Sequence, residues 1–133
     1  MADIRIAYCL TLYDALNSIL FTEPEEGKMP LERKIPFKTK YKIQKNLNVL
    51  AKDYVYYEEE RTRLIKEYGE ESEGKITVKP ENMTVFKEEI GKILSMEVQR
   101  DFLKFTDEEM EEISGDIIID CAAMELIIQY LTD

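Results

Sequence analysis

Between residues 36 and 68 the apolar positions recur at steps of three and four. Ile43, Leu47, Leu50, Tyr54 and Tyr57 lead on to Leu64 and Tyr68, with Arg61 where the spacing expects an apolar side chain. This is a heptad seam carried over more than three repeats, and it predicts one helix of roughly 45–50 Å. Pro36 suits its first turn and Gly69 its end. A seam of that length is buried only if the rest of the chain, or a partner chain, is laid along it.

The pattern changes on either side. Ile4, Ile6, Tyr8, Leu10 and Leu12 share one parity, whereas Ala15, Leu16, Ile19 and Leu20 fit a helical face. A short strand or irregular start followed by a helix to about Phe21 accounts for both, and a wholly helical stretch is the alternative. Residues 22–36 hold three of the four prolines and read as a loop. Beyond Gly69 a turn leads to a β-prone run at Lys75 to Lys79. A helix is expected over Glu81 to Glu97, facing inward with Val85 or Phe86, Ile90, Ile93 and Leu94. Val98 to Phe105 suits an extended segment. Thr106 and Glu109 have the spacing of a capping box, which opens a short helix that Ser114-Gly115 ends. The last helix, from about Asp116 to Leu131, is apolar on most sides and is expected to be the most buried element. The fold expected is a single mainly α (α+β) domain over residues 1–133. Three or four shorter helices pack a long central one, with room for a small two- or three-stranded sheet.

Charge divides this picture. The chain carries −10, yet residues 28–52 hold eight cations against Glu32 alone, and residues 101–133 hold ten acids against Lys104 alone. The lysines crowd the N-terminal half of the long helix, where the helix dipole disfavours them by a few tenths to about 1 kcal/mol each near the end. A functional reason for them gains weight accordingly. The basic face of Lys38, Lys42 and Lys45 is interleaved with Phe37, Tyr41 and Ile43, a mixture that can hold nucleic acid. The acidity of the whole chain weighs against that. A solvated face, or one neutralised by the acidic C-terminal region of the same or a neighbouring subunit, is the simpler reading.

The acidic run Asp107, Glu108, Glu109, Glu111 and Glu112 also has a plain reading, a solvated helix face. Its functional alternatives are a hard-cation site, since Glu108 with Glu111 or Glu112 would share a helix face, and a partner-binding surface that imitates a row of phosphates, formed by Glu108, Glu109, Glu111 and Glu112. A dedicated calcium loop is missing, since no Asp-x-Asp-x-Asp-Gly motif occurs. Tyr56 lies off the seam and is the tyrosine best placed for an interface. Leu47, Leu50, Tyr54, Tyr57, Arg61 and Leu64 form either a core seam or a self-association surface. Arg61 there either pairs across the seam, setting register, or turns outward.

The chain has no histidine. That removes Ser-His-Asp and Cys-His catalysis, histidine general bases and nearly all zinc sites. Gly69 to Gly74 lacks the Gly-Lys-Ser/Thr of a phosphate loop. Cys9 and Cys121 sit in apolar segments and read as reduced core residues, which suits an intracellular setting. No apolar run approaches a membrane span, and the first residues lack the pattern of a secretory signal. A non-enzymatic protein without cofactor or metal is expected, with a protein as its partner rather than nucleic acid or membrane.

The order of these segments is itself distinctive. A Pro-rich link enters IPFKTKYKIQKNLNVL, and YEEERTRLIKEYGEESEGKI follows. Then come F-x-x-E-I-x-x-I-L-x-x-E-V and an acidic stretch before a final apolar helix. Over roughly residues 30–130 this resembles a group of small bacteriophage and prophage proteins of uncharacterised function, most specifically at Tyr57 to Gly69. The resemblance implies a phage setting in the cytoplasm of a bacterial host. Two functions fit that setting. One is an inhibitor that binds a host defence protein such as a CRISPR nuclease. The other is a tail or head assembly factor that self-associates, as a dimer for instance, through the long helix.

Overall fold

The structure is a computed structural model, and it describes residues 1–21, 26–29, 32–115 and 119–133. Among these, strand β1 (Ala2–Arg5) runs directly into helix α1 (Ile6–Leu20), and helix α2 covers Phe37–Tyr68. A hairpin of β2 (Gly69–Ser72) and β3 (Lys75–Val78) follows. Then come a single 3-10 turn at Pro80–Asn82, α3 (Met83–Ser95), β4 (Glu97–Arg100), α4 (Asp107–Ser114) and α5 (Cys121–Leu131). The protein is mainly α, with two small two-stranded antiparallel sheets, as the hydrophobic pattern predicts.

The long helix forms where expected. Pro36 occupies its N-cap in an extended conformation, without a side-chain cap. The chain covers the seam by itself. Ile43, Leu50 and Leu64 are 0%, 0% and 1% exposed, and Leu47 is buried. Helix α1 lies along the N-terminal half, while α3 and β3 pack against α2 as well. Tyr54 is half-buried and stacks on Tyr13 of α1 with ring centroids 4.6 Å apart. Tyr57 is half-buried, and Arg61 turns outward into solvent.

At residue 69 the need for glycine is steric. Its φ of −103° is open to any residue. A Cβ there, however, would collide with the carbonyl oxygen of Ile65 and come within 2.8 Å of that of Thr77. The chain turns from helix to strand with no room for a side chain. Four residues on, Glu73 (φ 52°) and Gly74 (φ 78°) supply the two positive φ angles of the tight hairpin turn.

The first sheet joins distant segments. β1 pairs antiparallel with β4, placing Ile4 opposite Val98 and Arg5 opposite Glu97. Residues 3–12 thus divide at Arg5 between strand and helix.

Two expectations need correction. The central helix is α1, not the last one. Ile6, Cys9, Leu12, Leu16, Ile19 and Leu20 of α1 are all buried, because α1 lies between α2, α3 and α5. Helix α5 buries Ala123, Ile127 and Leu131 but shows Cys121, Ala122, Glu125, Ile128 and Gln129 to solvent. An apolar sequence is satisfied on one side only when no second layer arrives to cover the other. Cys121 is therefore exposed, whereas Cys9 is a core residue as expected. In α3 the inward positions are Phe86, Ile90, Ile93 and Leu94, all half-buried, and Val85 is exposed. The start of the last expected helix at 116–118, and residues 22–25 and 30–31 of the expected loop, lie outside the described residues.

Leu50 is fully buried at the α1–α2 contact, so Leu50→Ala is expected to cost about 2–5 kcal/mol. A urea titration measures this. A loss under about 1 kcal/mol would show that the α1–α2 seam is not a tightly packed core.

Candidate functional site

The chemistry-bearing side chains gather along one line, where the segment from β4 to α4 crosses the inward side of α2. Beside the apolar seam, α2 carries a second inward row: Thr39, Asn46 and Asp53, spaced by seven and exposed by only 1%, 1% and 4%. All three are polar and all three are matched by the crossing segment. Arg100, at the end of β4, donates from Nε to Asp53 Oδ2 at 2.9 Å and from Nη2 to Oδ1 at 2.6 Å. The Asn46 side-chain amide donates to the Leu103 carbonyl at 3.0 Å, and its oxygen accepts the Leu103 N–H at 2.8 Å. Thr39 donates to the Glu112 carboxylate. Lys42 donates to the Lys104 carbonyl at 2.8 Å and to Glu109 Oε1 at 2.5 Å. One step further, Lys104 reaches the Tyr130 carbonyl at 2.7 Å, tying the segment to α5.

Helix α4 is set by its own first turn. Thr106 accepts the Glu109 N–H, and Glu109 accepts the Thr106 N–H, completing the expected capping box. Glu109 is thereby turned inward and is 5% exposed. Burial opposes its ionisation. The Lys42 ammonium and the Thr106 donors outweigh that and hold its carboxyl below the usual carboxylate range. Oε1 takes these bonds, while Oε2 has no hydrogen-bond partner among the described residues.

Cys9 lies beside this line. Burial first, then the Asp53 carboxylate, push its thiol up to about 12, so it stays protonated and is a poor nucleophile. A cleft of about 290 Å³ between α1 and α5 has Asp14 and Asp120 as its ionisable lining groups, both exposed. Among the described residues no group of three His, Cys, Asp or Glu side chains could hold a metal ion. Among the described residues no helix is long and apolar enough to cross a membrane.

The residues singled out from the sequence therefore separate by direction. Of the four glutamates, Glu109 is buried and Glu112 half-buried against Thr39, while Glu108 and Glu111 face solvent. In the basic face, Lys42 points inward to Glu109, while Lys38 and Lys45 are exposed. Tyr56 is exposed, whereas Leu47, Leu50 and Leu64 are closed within the chain. Thr39, Asn46, Asp53 and Arg100 went unnoticed in the sequence. The signal available was three short polar residues at heptad spacing next to an apolar seam.

Fold and site define a mainly α (α+β) protein whose long helix is clasped by a polar crossing segment. Compared with protein-family models, with curated proteins and with solved structures, the chain matches none.

Removing Arg100 leaves the Asp53 carboxylate buried without its cation. Arg100→Ala is expected to cost about 3–5 kcal/mol, and the double variant Asp53→Leu, Arg100→Leu less than that. Denaturant titrations of both check it, and a double variant as unstable as the single one would refute the desolvation account. For Glu109 the sign is set by its lowered pKa. Its contribution is complete above the ordinary value of 4.5 and is lost as pH falls through the lower folded value. Unfolding at stepped pH should show Glu109→Gln with a flatter acid limb than the wild type. Parallel limbs would mean that Glu109 does not carry this dependence.

Proposed function

We propose that this chain is a non-enzymatic protein-binding protein that docks on a basic surface of its partner. In the phage setting that the sequence resemblance implies, that partner is a host defence protein such as a CRISPR nuclease, held away from its nucleic acid. The observation that carries the reading is the division of carboxylates on α4. Glu109 and Glu112 serve the fold, while Asp107, Glu108 and Glu111 are exposed. Lys42 pairs inward with Glu109 and Arg100 with Asp53, while these outward acids face solvent, where a partner can reach them. A row of carboxylates on a short rigid helix presents negative charge much as a phosphate backbone does, to a surface built to receive phosphates. The absence of histidine agrees with a role without catalysis.

A second reading, assembly of phage particles through the long helix, is favoured by one observation. The outward side of α2 exposes Phe37, Tyr41 and Val55. The seam itself serves that reading poorly, since Leu47, Leu50 and Leu64 are already covered by the chain's own elements.

The test is capture of partners from phage-infected host lysate by wild type and by Asp107→Asn, Glu108→Gln, Glu111→Gln. Wild type should retain a nucleic-acid-binding host protein, and the triple variant should lose it by about tenfold or more, with retention falling as salt is raised. Equal retention by both proteins would refute binding through this acidic face. Recovery of phage structural proteins instead would favour assembly.

A further inference from the structure

Helix α2 carries a second heptad stripe on the side away from the core. Phe37, Tyr41, Gln44, Asn48, Ala51 and Val55 follow one another at steps of four and three. Not one of these six is charged, in a chain whose residues are 35% charged. Phe37 is 82% exposed, Val55 52% and Tyr41 46%, and Ala51 alone of the six is half-buried. A solvated helix face in so charged a protein is expected to carry charge at its centre. This one keeps its charges at the edge. Lys38, Lys45 and Lys52 are all exposed and repeat every seven residues along one shoulder of the stripe.

These lysines work against their own helix. Lys38 falls in the first turn, where no acid is present and no side chain caps the N-terminus. Positive charge there is opposed by the helix dipole. Lys45 rests over the Tyr41 ring, 5.5 Å from its centroid, so one cation is already positioned against the stripe. At the far end, Ala51, Lys52, Val55, Tyr56 and Glu59 line a shallow depression of about 370 Å³.

We propose that this stripe is the docking face for an acidic amphipathic helix of a partner protein. The occupant lays apolar residues over Tyr41, Ala51 and Val55 and presents carboxylates to Lys38, Lys45 and Lys52. Amides at Gln44 and Asn48 set its register, as polar seam residues do in coiled coils. A second copy of this chain fits poorly. Antiparallel pairing centred on the uncharged stretch sets one lysine shoulder against another, and like charges so placed repel. The proposal is independent of the acidic face of α4, and variants of α4 leave it untouched.

The test uses the full chain and three fluorescent probes. One is a three-heptad helical peptide with leucine at the seam and glutamate at its shoulders. The second is its counterpart with lysine at the shoulders, and the third is a short DNA duplex. Wild type should bind the glutamate peptide at least about tenfold more tightly than the lysine peptide. Tyr41→Asp with Val55→Asp should abolish that binding. Lys38→Glu, Lys45→Glu, Lys52→Glu should reverse the preference. Because these side chains are exposed, circular dichroism melts should stay near the wild type. Equal binding of the two peptides, tighter binding of the duplex, or a solution mass of twice 15.7 kDa that falls to one chain in Tyr41→Asp, Val55→Asp would each overturn the proposal.

Discussion

Placing Asn46 and Asp53 inside the protein obliges another part of the chain to come and meet them. A buried carboxylate or amide without partners costs several kcal/mol, so the fold is admissible only with the 97–112 segment drawn across α2. Arg100 must stand at Asp53, the Leu103 backbone at Asn46, and Glu109 at Lys42. Fixing Arg100 fixes β4, and β4 in turn is the strand that β1 pairs with. The same bonds set where α4 begins, because Glu109 belongs both to the capping box and to the pair with Lys42. Hydrophobic burial along α1 and α2 supplies most of the driving force, but it is non-directional and tolerates sliding. The polar row determines the register.

That row also sorts the charges. A chain with a basic helix and an acidic C-terminal third could have neutralised itself by laying one on the other. It does so only in part. Lys42 pairs inside with Glu109, while Lys38, Lys45 and Lys52 stay exposed on one side of the molecule, and Asp107, Glu108 and Glu111 stay exposed on α4. Both sets lie on helices anchored to the core through their opposite faces, so the backbone that carries them is already ordered. Preorganised charge of this kind favours association more than charge on a loose chain does. Our two proposals assign each set a separate partner surface of opposite sign.

Much of the secondary structure was legible because it depends on near neighbours. The seam from Ile43 to Tyr68, the capping box at Thr106 and the glycine at 69 are local features, and each appears where the spacing puts it. The site was legible only in part. Glu108 and Glu111 do face outward, but Glu109 and Glu112 are their neighbours in sequence and face inward, because a helix turns by about 100° per residue and α2 happens to lie on one side. Likewise Lys42 and Lys45 share a run of lysines and differ only in what stands opposite them.

The sequence by itself determined the helices, the absence of histidine chemistry, the separation of charge and the uncharged stripe from Phe37 to Val55. Tertiary structure decided which apolar surface became the core and which polar residues became its clasp. The seam of α2 closed on α1 rather than on a second chain. Helix α1 took the centre that the composition of α5 suggested for itself, since burial belongs to the element with neighbours on every side. Thr39, Asn46 and Asp53 joined the interior because Arg100 and the crossing backbone, about fifty or more residues away along the chain, arrive with matching donors and acceptors. Periodicity along one helix records which residues share a face. What meets that face depends on contacts between distant segments, which no local pattern encodes.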